Sequence, residues 1–339
     1  MSAAPAMAQS DPPRLERAEA GPENLTAARA YIYTIVTPDM AASTRFYRDV
    51  MGNELIDEGA LDSKLPTMSG VGKAGRRYAL FRHKEKVQTE RGVIRLLEAG
   101  AGAPANRPRG RARIVDPGLA IIECHPPRDW LETYLNLTRN GVETVAKPIH
   151  YVSGSEFMAY SAFGPAGEQM FMACAQAGPM TVNPNHDGLY GPFVQSTVMT
   201  WDRWPMWAFY DAMFGVKPTG DEFIAQESIN TMIGAPKGTY FHYSGMGGRG
   251  AGQGLRMEWW EFRQWQPTGR PLWPTDLDKT GLAMTSILVE NLAVVRDRAR
   301  AAKIKILGEG ALPTPGGKGR DGFYVRGSEG ELIEVIGRT

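Results

Sequence analysis

The chain repeats itself at a constant offset of 163 residues. The repeated identities fall in three separate stretches, which unrelated coincidences would rarely share. They are Asp39, Phe46, Tyr47 and Gly52 with Asp202, Phe209, Tyr210 and Gly215; Gly118, Leu119 and Ala120 with Gly281, Leu282 and Ala283; and Gly164, Gly167 and Glu168 with Gly327, Gly330 and Glu331. The sequence therefore predicts two homologous halves, which serve as an internal alignment of each other.

Composition excludes several classes of protein. The 339 residues are 42% apolar and 22% charged, as in ordinary globular domains, and suffice for two of them. A net charge of +1 gives no field that would steer the chain to nucleic acid or a membrane surface. No apolar run approaches the roughly 18 residues of a membrane-spanning helix. We expect a small-molecule substrate, neither a nucleic acid nor a membrane as partner, and a monomer or homodimer.

The first 27 residues are rich in Ala, Pro and Glu, which predicts a disordered tail. The run from Ala4 to Gln9 is similar to the small-residue end of a signal peptide, but no basic or apolar segment precedes it. We expect a cytoplasmic protein, with export as the alternative.

Each half contains two strand–helix–three-strand units. In the first unit, the β-branched run 31–37 predicts a strand, Asp39 can cap the helix that follows, and Gly52 ends it. The unit recurs in looser form after residue 118, then after 193 and after 281. We predict four βαβββ modules, paired into an N-terminal domain over residues 28–175 and a C-terminal domain over residues 191–339.

This pattern resembles the vicinal oxygen chelate superfamily, which includes glyoxalase I, extradiol dioxygenases and bleomycin resistance proteins. The residues that carry the resemblance are TIVTPDMAASTRFYRDVMG, VMTWDRWPMWAFYDAMFG and GRDGFYVRGSEGELIEVIG. It extends over about residues 28–338. The resemblance implies an α+β fold in which module pairs form two half-open barrels, with a metal ion at the centre of a barrel.

In this superfamily the metal ligands lie on the first and last strands of the modules. By spacing, these positions fall on Gln195, Glu258 and Glu334, with Met284 or Leu282 at the fourth position. Three oxygen ligands would suit Mg²⁺, Mn²⁺, Ni²⁺ or Zn²⁺. Subtracting the offset gives positions in the first half that bind no metal in the usual way: Ile32, Arg95, Ile121 and Phe171. The resemblance thus places the candidate site in the C-terminal domain and makes the first domain degenerate.

The resemblance implies a metal-dependent lyase or isomerase of the glyoxalase type, acting through an enediolate-like intermediate. Glu334 or Glu258 would transfer the proton. His242, Trp260, Met284 and Tyr324 are the candidate substrate contacts, although each is also consistent with a structural role. A metal-free binding protein of the bleomycin-resistance type and an extradiol-type dioxygenase remain as alternatives. A face reversal in the strand of Glu258 would point Glu261 inward instead.

Two further segments have patterns that anion-binding sites also show. Arg107, Arg109, Arg111 and Arg113 follow one another at alternate positions in a predicted linker and could clamp an anion. The glycine-rich run 245–254 opens no helix, which favours a hairpin connection over a phosphate cradle.

Overall fold

The computed structural model describes most of the chain. The described residues are 24–61, 75–84, 91–106, 114–125, 129–153, 155–177, 188–247, 255–265, 274–315 and 320–338. Residues 1–23 of the predicted tail, the four linker arginines and residues 248–254 of the glycine-rich run lie outside them. Residues 24–27, also assigned to the tail, are packed: Asn24 bridges to Val216 and the Thr26 hydroxyl donates to the carbonyl of Phe214 at 2.8 Å.

The elements follow the predicted modules. The first module contains β1 (Arg29–Thr37), α1 (Met40–Arg45) continued by a π-helical turn (Phe46–Val50), β2 (Glu54–Ala60), β3 (Arg77–Arg82) and β4 (Val93–Glu98). The second contains β5 (Gly118–Cys124), α2 (Trp130–Arg139), β6 (Ile149–Ser153), β7 (Ser155–Phe163) and β8 (Gln169–Ala177).

The third module carries an additional helix. It contains β9 (Phe193–Thr200), α3 (Arg203–Phe214), β10 (Pro218–Ile224), α4 (Glu227–Ile233), β11 (Phe241–Met246), β12 (Met257–Glu261) and a 3₁₀ turn (Arg263–Trp265). The fourth contains β13 (Gly281–Val289), α5 (Leu292–Ala301), β14 (Gly308–Glu309), β15 (Gly322–Arg326) and β16 (Leu332–Gly337). Strand β10 and helix α4 were not predicted from the sequence.

The four modules form two eight-stranded sheets, and the pairing differs from the prediction. One sheet has the order β14-β15-β16-β13-β1-β4-β3-β2 and joins modules one and four; we call it the first barrel. The other has the order β10-β11-β12-β9-β5-β8-β7-β6 and joins modules two and three; we call it the second barrel. The sheets therefore do not coincide with residues 28–175 and 191–339. Each sheet is joined by an antiparallel pair of strands, β1–β13 in the first barrel and β5–β9 in the second. Each pair connects the first strand of a module in one half of the chain to the first strand of a module in the other half.

The duplication recurs in side-chain detail. Asp39 and Asp202 both cap their helices by accepting from backbone amides, at 2.9 and 3.1 Å. The Tyr47 hydroxyl donates to Glu168 at 2.6 Å, and Tyr210 donates to Glu331 at 3.0 Å. These tyrosines tie the first helix of each half to the last hairpin of the same half. The four modules and two half-open barrels of the predicted α+β fold are thus present.

The turn of the last hairpin gives the fold a pH-dependent stability. Burial raises the pKa of Glu329 to about 7, although the Thr200 hydroxyl donates to this carboxylate and opposes the shift. Because the folded-state pKa lies above the unfolded value, this group's stabilising contribution is complete below about pH 4.5 and is lost as the pH rises through 7.

Glu329→Gln is therefore expected to flatten the pH profile of stability, because the amide oxygen can still accept from Thr200 but no longer ionises. Between pH 5 and pH 8, the variant should lose less unfolding free energy than the wild type, by on the order of 3 kcal/mol. Urea denaturation across this range measures the difference. Parallel profiles for the two proteins would show that Glu329 is not a buried acid.

The helices are short. Within the described part of the chain, none has the length and apolar character that crossing a membrane requires.

Candidate functional site

Each barrel brings four inward positions together, and the 163-residue offset converts one set into the other. In the second barrel they are Gln195, Glu123, Glu258 and Phe171; in the first they are Ile32, Ser286, Arg95 and Glu334. The two joints confirm the equivalence, because Gln195 pairs with Glu123 across β5–β9 and Ile32 pairs with Ser286 across β1–β13. The barrels can therefore be compared position by position.

The first barrel contains a buried ion pair. Arg95 Nη1 donates to Glu334 Oε2 at 2.9 Å, and both side chains are fully buried. Glu334 also accepts from the Tyr324 hydroxyl at 3.0 Å, the Leu312 amide at 2.7 Å and the Ser286 hydroxyl. The guanidinium of Arg95 thus supplies the positive charge that the Glu334 carboxylate needs.

The surroundings of this ion pair are closed and apolar. Leu80, Leu97, Met284 and Leu332 are all 0% exposed. The carbonyl of Pro313 accepts from Arg95 Nε at 3.0 Å, so the segment after β14 also covers the barrel. Burial and the negative charge of Glu334 raise the pKa of Tyr324 well above its ordinary value. Arg95 Nη2 has no hydrogen-bond partner among the described residues, but the Glu334 carboxylate is fully hydrogen-bonded, and a sealed ion pair of this kind fits a structural role.

The second barrel holds a different polar cluster. Glu123 on β5 and Glu258 on β12 are 5% and 6% exposed, and Gln195 on β9 is half-buried. The Gln195 side-chain amide donates to Glu123 and also lies within hydrogen-bonding reach of Glu258. Two carboxylates and an amide therefore meet on three adjacent strands.

This cluster leads toward solvent. The Tyr243 hydroxyl donates to Glu258 at 2.6 Å. His125 Nε2 lies 2.8 Å from Glu123 Oε1, the carboxylate oxygen that does not accept from Gln195. His125 is 22% exposed, and Tyr151 and Tyr243 are half-buried. The contrast with the sealed first barrel marks the second barrel as the accessible one.

The electrostatics of the cluster favour proton transfer. Burial, followed by repulsion from Glu123, raises the pKa of Glu258 to about 8. The hydrogen bond from Tyr243 and the nearby polar groups of Gln195 and Trp260 oppose this shift but do not cancel it. A carboxyl group with a pKa near neutrality can accept and return protons at physiological pH.

The predicted convergence of Gln195, Glu258 and Glu334 is wrong. Gln195 and Glu258 lie together in the second barrel, whereas Glu334 lies in the first, because module three pairs with module two and not with module four. Glu258 does face inward, while Glu261 faces outward and accepts from Arg263 Nε at 3.0 Å. The positions predicted as degenerate are likewise divided, since Ile32 and Arg95 lie in the first barrel and Ile121 and Phe171 in the second.

The fourth predicted position also needs correction. Ser286, not Met284 or Leu282, lies opposite Ile32, and its equivalent in the second barrel is Glu123, not Ile121. The count from the sequence landmarks misses Glu123 by two residues, and a register shift in β5 between Leu119 and Ile121 accounts for one of them. Ser286 is a polar residue on the same strand as Met284, and subtracting the 163-residue offset from its number gives Glu123. This relation is the sequence signal that could have identified Glu123.

Of the four predicted substrate contacts, the structure places one in the cluster. Trp260 lies on β12 beside Glu258. Met284 and Tyr324 belong to the sealed first barrel. His242 is on the outer face of β11, where its Nδ1 lies 3.0 Å from Asp221. Its ring is therefore separated from the carboxylates by the sheet.

Two of the remaining histidines have structural partners. His83 Nε2 lies 2.6 Å from the carbonyl of Tyr190, and His150 Nε2 lies 2.7 Å from Glu156. His186 is outside the described residues. Among those described, His125 is thus the histidine that contacts the cluster.

A separate cleft of about 760 Å³ lies between the ends of the two sheets. Its lining includes Phe163, Gln169, Ile233 and Gly281, and none of the clustered carboxylates. Of its polar lining residues, Glu168 accepts from Tyr47 and Gln169 donates to the carbonyl of Ile233, so both have structural partners. The chemistry therefore favours the second barrel over this cleft.

Comparison with known proteins agrees with this architecture. Residues 30–170 match the family model described as the Glyoxalase/Bleomycin resistance protein/Dioxygenase superfamily. The fold is similar to glyoxalase I from Zea mays, with a TM-score of 0.60, 14% identity, and coverage of 91% of this chain and 92% of that one. It is also similar to a putative dioxygenase from Bacillus subtilis, with a TM-score of 0.54, 15% identity, and coverage of 91% and 84%.

Among curated proteins, no sequence matches the chain. The match of residues 30–170 to that family model nevertheless confirms the predicted resemblance. The second half, which repeats the first at the 163-residue offset, completes the paired barrels of the same fold.

Proposed function

We propose that the second barrel is the active site of a lyase or isomerase that acts on a small molecule with two vicinal oxygens. The observation that carries this proposal is Glu258, a buried acid with a pKa of about 8 in an accessible barrel. A general base works best when its pKa lies near the working pH. The equivalent position in the first barrel is Arg95, which forms a buried ion pair with Glu334.

The donor set of the cluster fits a divalent cation. Two carboxylates that repel each other and one amide supply three oxygen donors, the chemistry that Mg²⁺, Mn²⁺, Ni²⁺ or Zn²⁺ accepts. No group of three or more His, Cys, Asp or Glu side chains has metal-binding spacing within the described ranges, so the amide of Gln195 is essential to this set. When bound, such an ion would supply Lewis acidity to the vicinal oxygens of the substrate.

The side chains of the cluster would transfer the proton, orient the base and hold the carboxylates in place. Glu258 accepts the proton from the carbon next to a carbonyl, and the electron pair moves toward the carbonyl oxygen. The Tyr243 hydroxyl, held on Glu258 at 2.6 Å, orients the carboxylate. Gln195 spans Glu123 and Glu258 and fixes their separation. The buried walls limit the access of water to the reacting carbon.

A metal-free binding protein is the second candidate, favoured by the aromatic wall of the same barrel. Tyr151 stacks on Phe157 at 5.1 Å, and Phe171 contacts Trp260 edge-on at 6.4 Å. An extradiol dioxygenase is disfavoured, because its iron site needs two histidines and one carboxylate. In the described part of the chain only His125 contacts these carboxylates.

Calorimetric titration with MnCl₂ and ZnSO₄ tests the metal-dependent form of the proposal. We expect one ion per chain, and an affinity reduced at least about tenfold in Glu258→Gln, because the variant loses a charged ligand. Glu261→Gln, on the same strand but facing outward, is the matched control and should bind like the wild type. Absence of binding to the wild type would favour the metal-free binding protein.

A further inference from the structure

The inward positions of the second barrel combine oxygen donors with an aromatic wall. Phe157, Phe171 and Trp260 each retain 5% exposure, as much as Glu123 among the carboxylates. In the first barrel, Leu80, Leu97 and Leu332 retain none. The aromatic rings and the carboxylates of the second barrel therefore retain a small exposure that the equivalent side chains of the first barrel lack.

The rings form one continuous surface. Tyr151 lies parallel to Phe157, with 14° between the ring planes, and its centroid lies 6.5 Å from that of Phe171. Phe171 meets the edge of Trp260, which stacks on Phe241 at 5.1 Å. Trp260 in turn lies against Glu258, so the aromatic surface begins at the proton-transferring group.

The fold does not require these aromatic residues. At the 163-residue offset, Phe171 corresponds to Glu334, Trp260 to Leu97 and Tyr243 to Leu80. At these three positions the first barrel is packed with aliphatic and ionic side chains, although its core also contains Tyr324 and Tyr78, which is the equivalent of Phe241. Since the same scaffold is stable without the rings, their presence at the accessible site is best explained by the ligand.

We propose that the ligand of the second barrel carries an aryl group, which packs against Phe171 and between Tyr151 and Trp260 while its vicinal oxygens face Glu123, Gln195 and Glu258. This inference rests on the proposed location of the active site. Phe171 occupies the fourth inward position, where a phenyl ring cannot coordinate a cation. The part of the barrel around Phe171 is therefore apolar. A ligand ring there would make the edge-to-face or offset-stacked contacts that aromatic pairs prefer.

Three neutral ketones with vicinal oxygens test the inference by calorimetry: 2-hydroxyacetophenone, its ring-saturated cyclohexyl analogue and hydroxyacetone. We expect the phenyl compound to bind about two- to tenfold more tightly than the cyclohexyl compound. It should bind more than about tenfold more tightly than hydroxyacetone, which lacks the ring. Equal affinities for the phenyl and cyclohexyl compounds would overturn the inference.

Two variants locate the preference. Phe171→Leu and Trp260→Leu should each remove most of the phenyl preference. Phe323→Leu, in the core of the first barrel's sheet, should keep it. If either variant fails to fold, the three wild-type affinities still decide the matter. A phenyl preference that survives in Glu258→Gln, together with unchanged proton transfer, would leave the aryl site intact and refute the proposed reaction.

Discussion

Glu334→Gln is expected to destabilise the protein by about 3–5 kcal/mol. The variant removes the negative charge from the sealed first barrel and leaves the guanidinium of Arg95 buried without compensation. It also leaves Tyr324, Ser286 and the Leu312 amide with an acceptor that carries no charge. Urea denaturation at pH 7 measures the loss.

The matched control is the double replacement Arg95→Met with Glu334→Leu. Because both charges are then absent and the apolar surroundings are already built from leucine and methionine, most of the lost stability should return. The single and double variants together separate a structural ion pair from a functional carboxylate. A fully stable Glu334→Gln protein that has lost catalysis would contradict the structural assignment of the first barrel.

Glu258→Gln is expected to slow proton transfer by on the order of 10²–10⁴-fold, because the amide is almost the same shape but is not a base. The exchange of the carbon-bound hydrogens of 2-hydroxyacetophenone with D₂O, followed by NMR, measures this step without knowledge of the natural substrate. Folding stability should change little, since burial already favours the uncharged form of this carboxyl group.

The outward-facing variant Glu261→Gln is the control for this measurement and should exchange at the wild-type rate. Tyr243→Phe should retain a fraction of the activity, because it removes the hydroxyl that orients Glu258 but not the base itself. If Glu258→Gln exchanges at the wild-type rate, the second barrel is a binding site and not a catalytic one.

The repeat predicted much of the fold from local pattern. Asp39 and Asp202 begin helices, Gly52 and Gly215 lie just beyond them in left-handed conformations, and the strands follow in the expected order. These features depend on short-range preferences of individual residues, which a sequence records directly. The predicted ligand strands include β9 and β12, and the structure brings Gln195, Glu258 and Trp260 of these strands together, while their role as a site stays a prediction.

The errors concern contacts between distant strands. Whether β9 pairs with β5 or with β13 depends on how the halves dock, which no local pattern in the sequence records. Glu334 was therefore assigned to the wrong barrel. Glu123 was missed because bulges in β5 shift its register, and a register is a property of the pair of strands rather than of either sequence.

We propose the second barrel, and not the first, as the functional centre of the protein. Anomalous diffraction from crystals soaked in MnCl₂ tests this claim most directly, because it locates the ion independently of any assay. We predict one manganese peak among the side-chain oxygens of Glu123, Gln195 and Glu258. A peak beside Glu334 in the first barrel would contradict it, and no peak in either barrel would contradict its metal-dependent form.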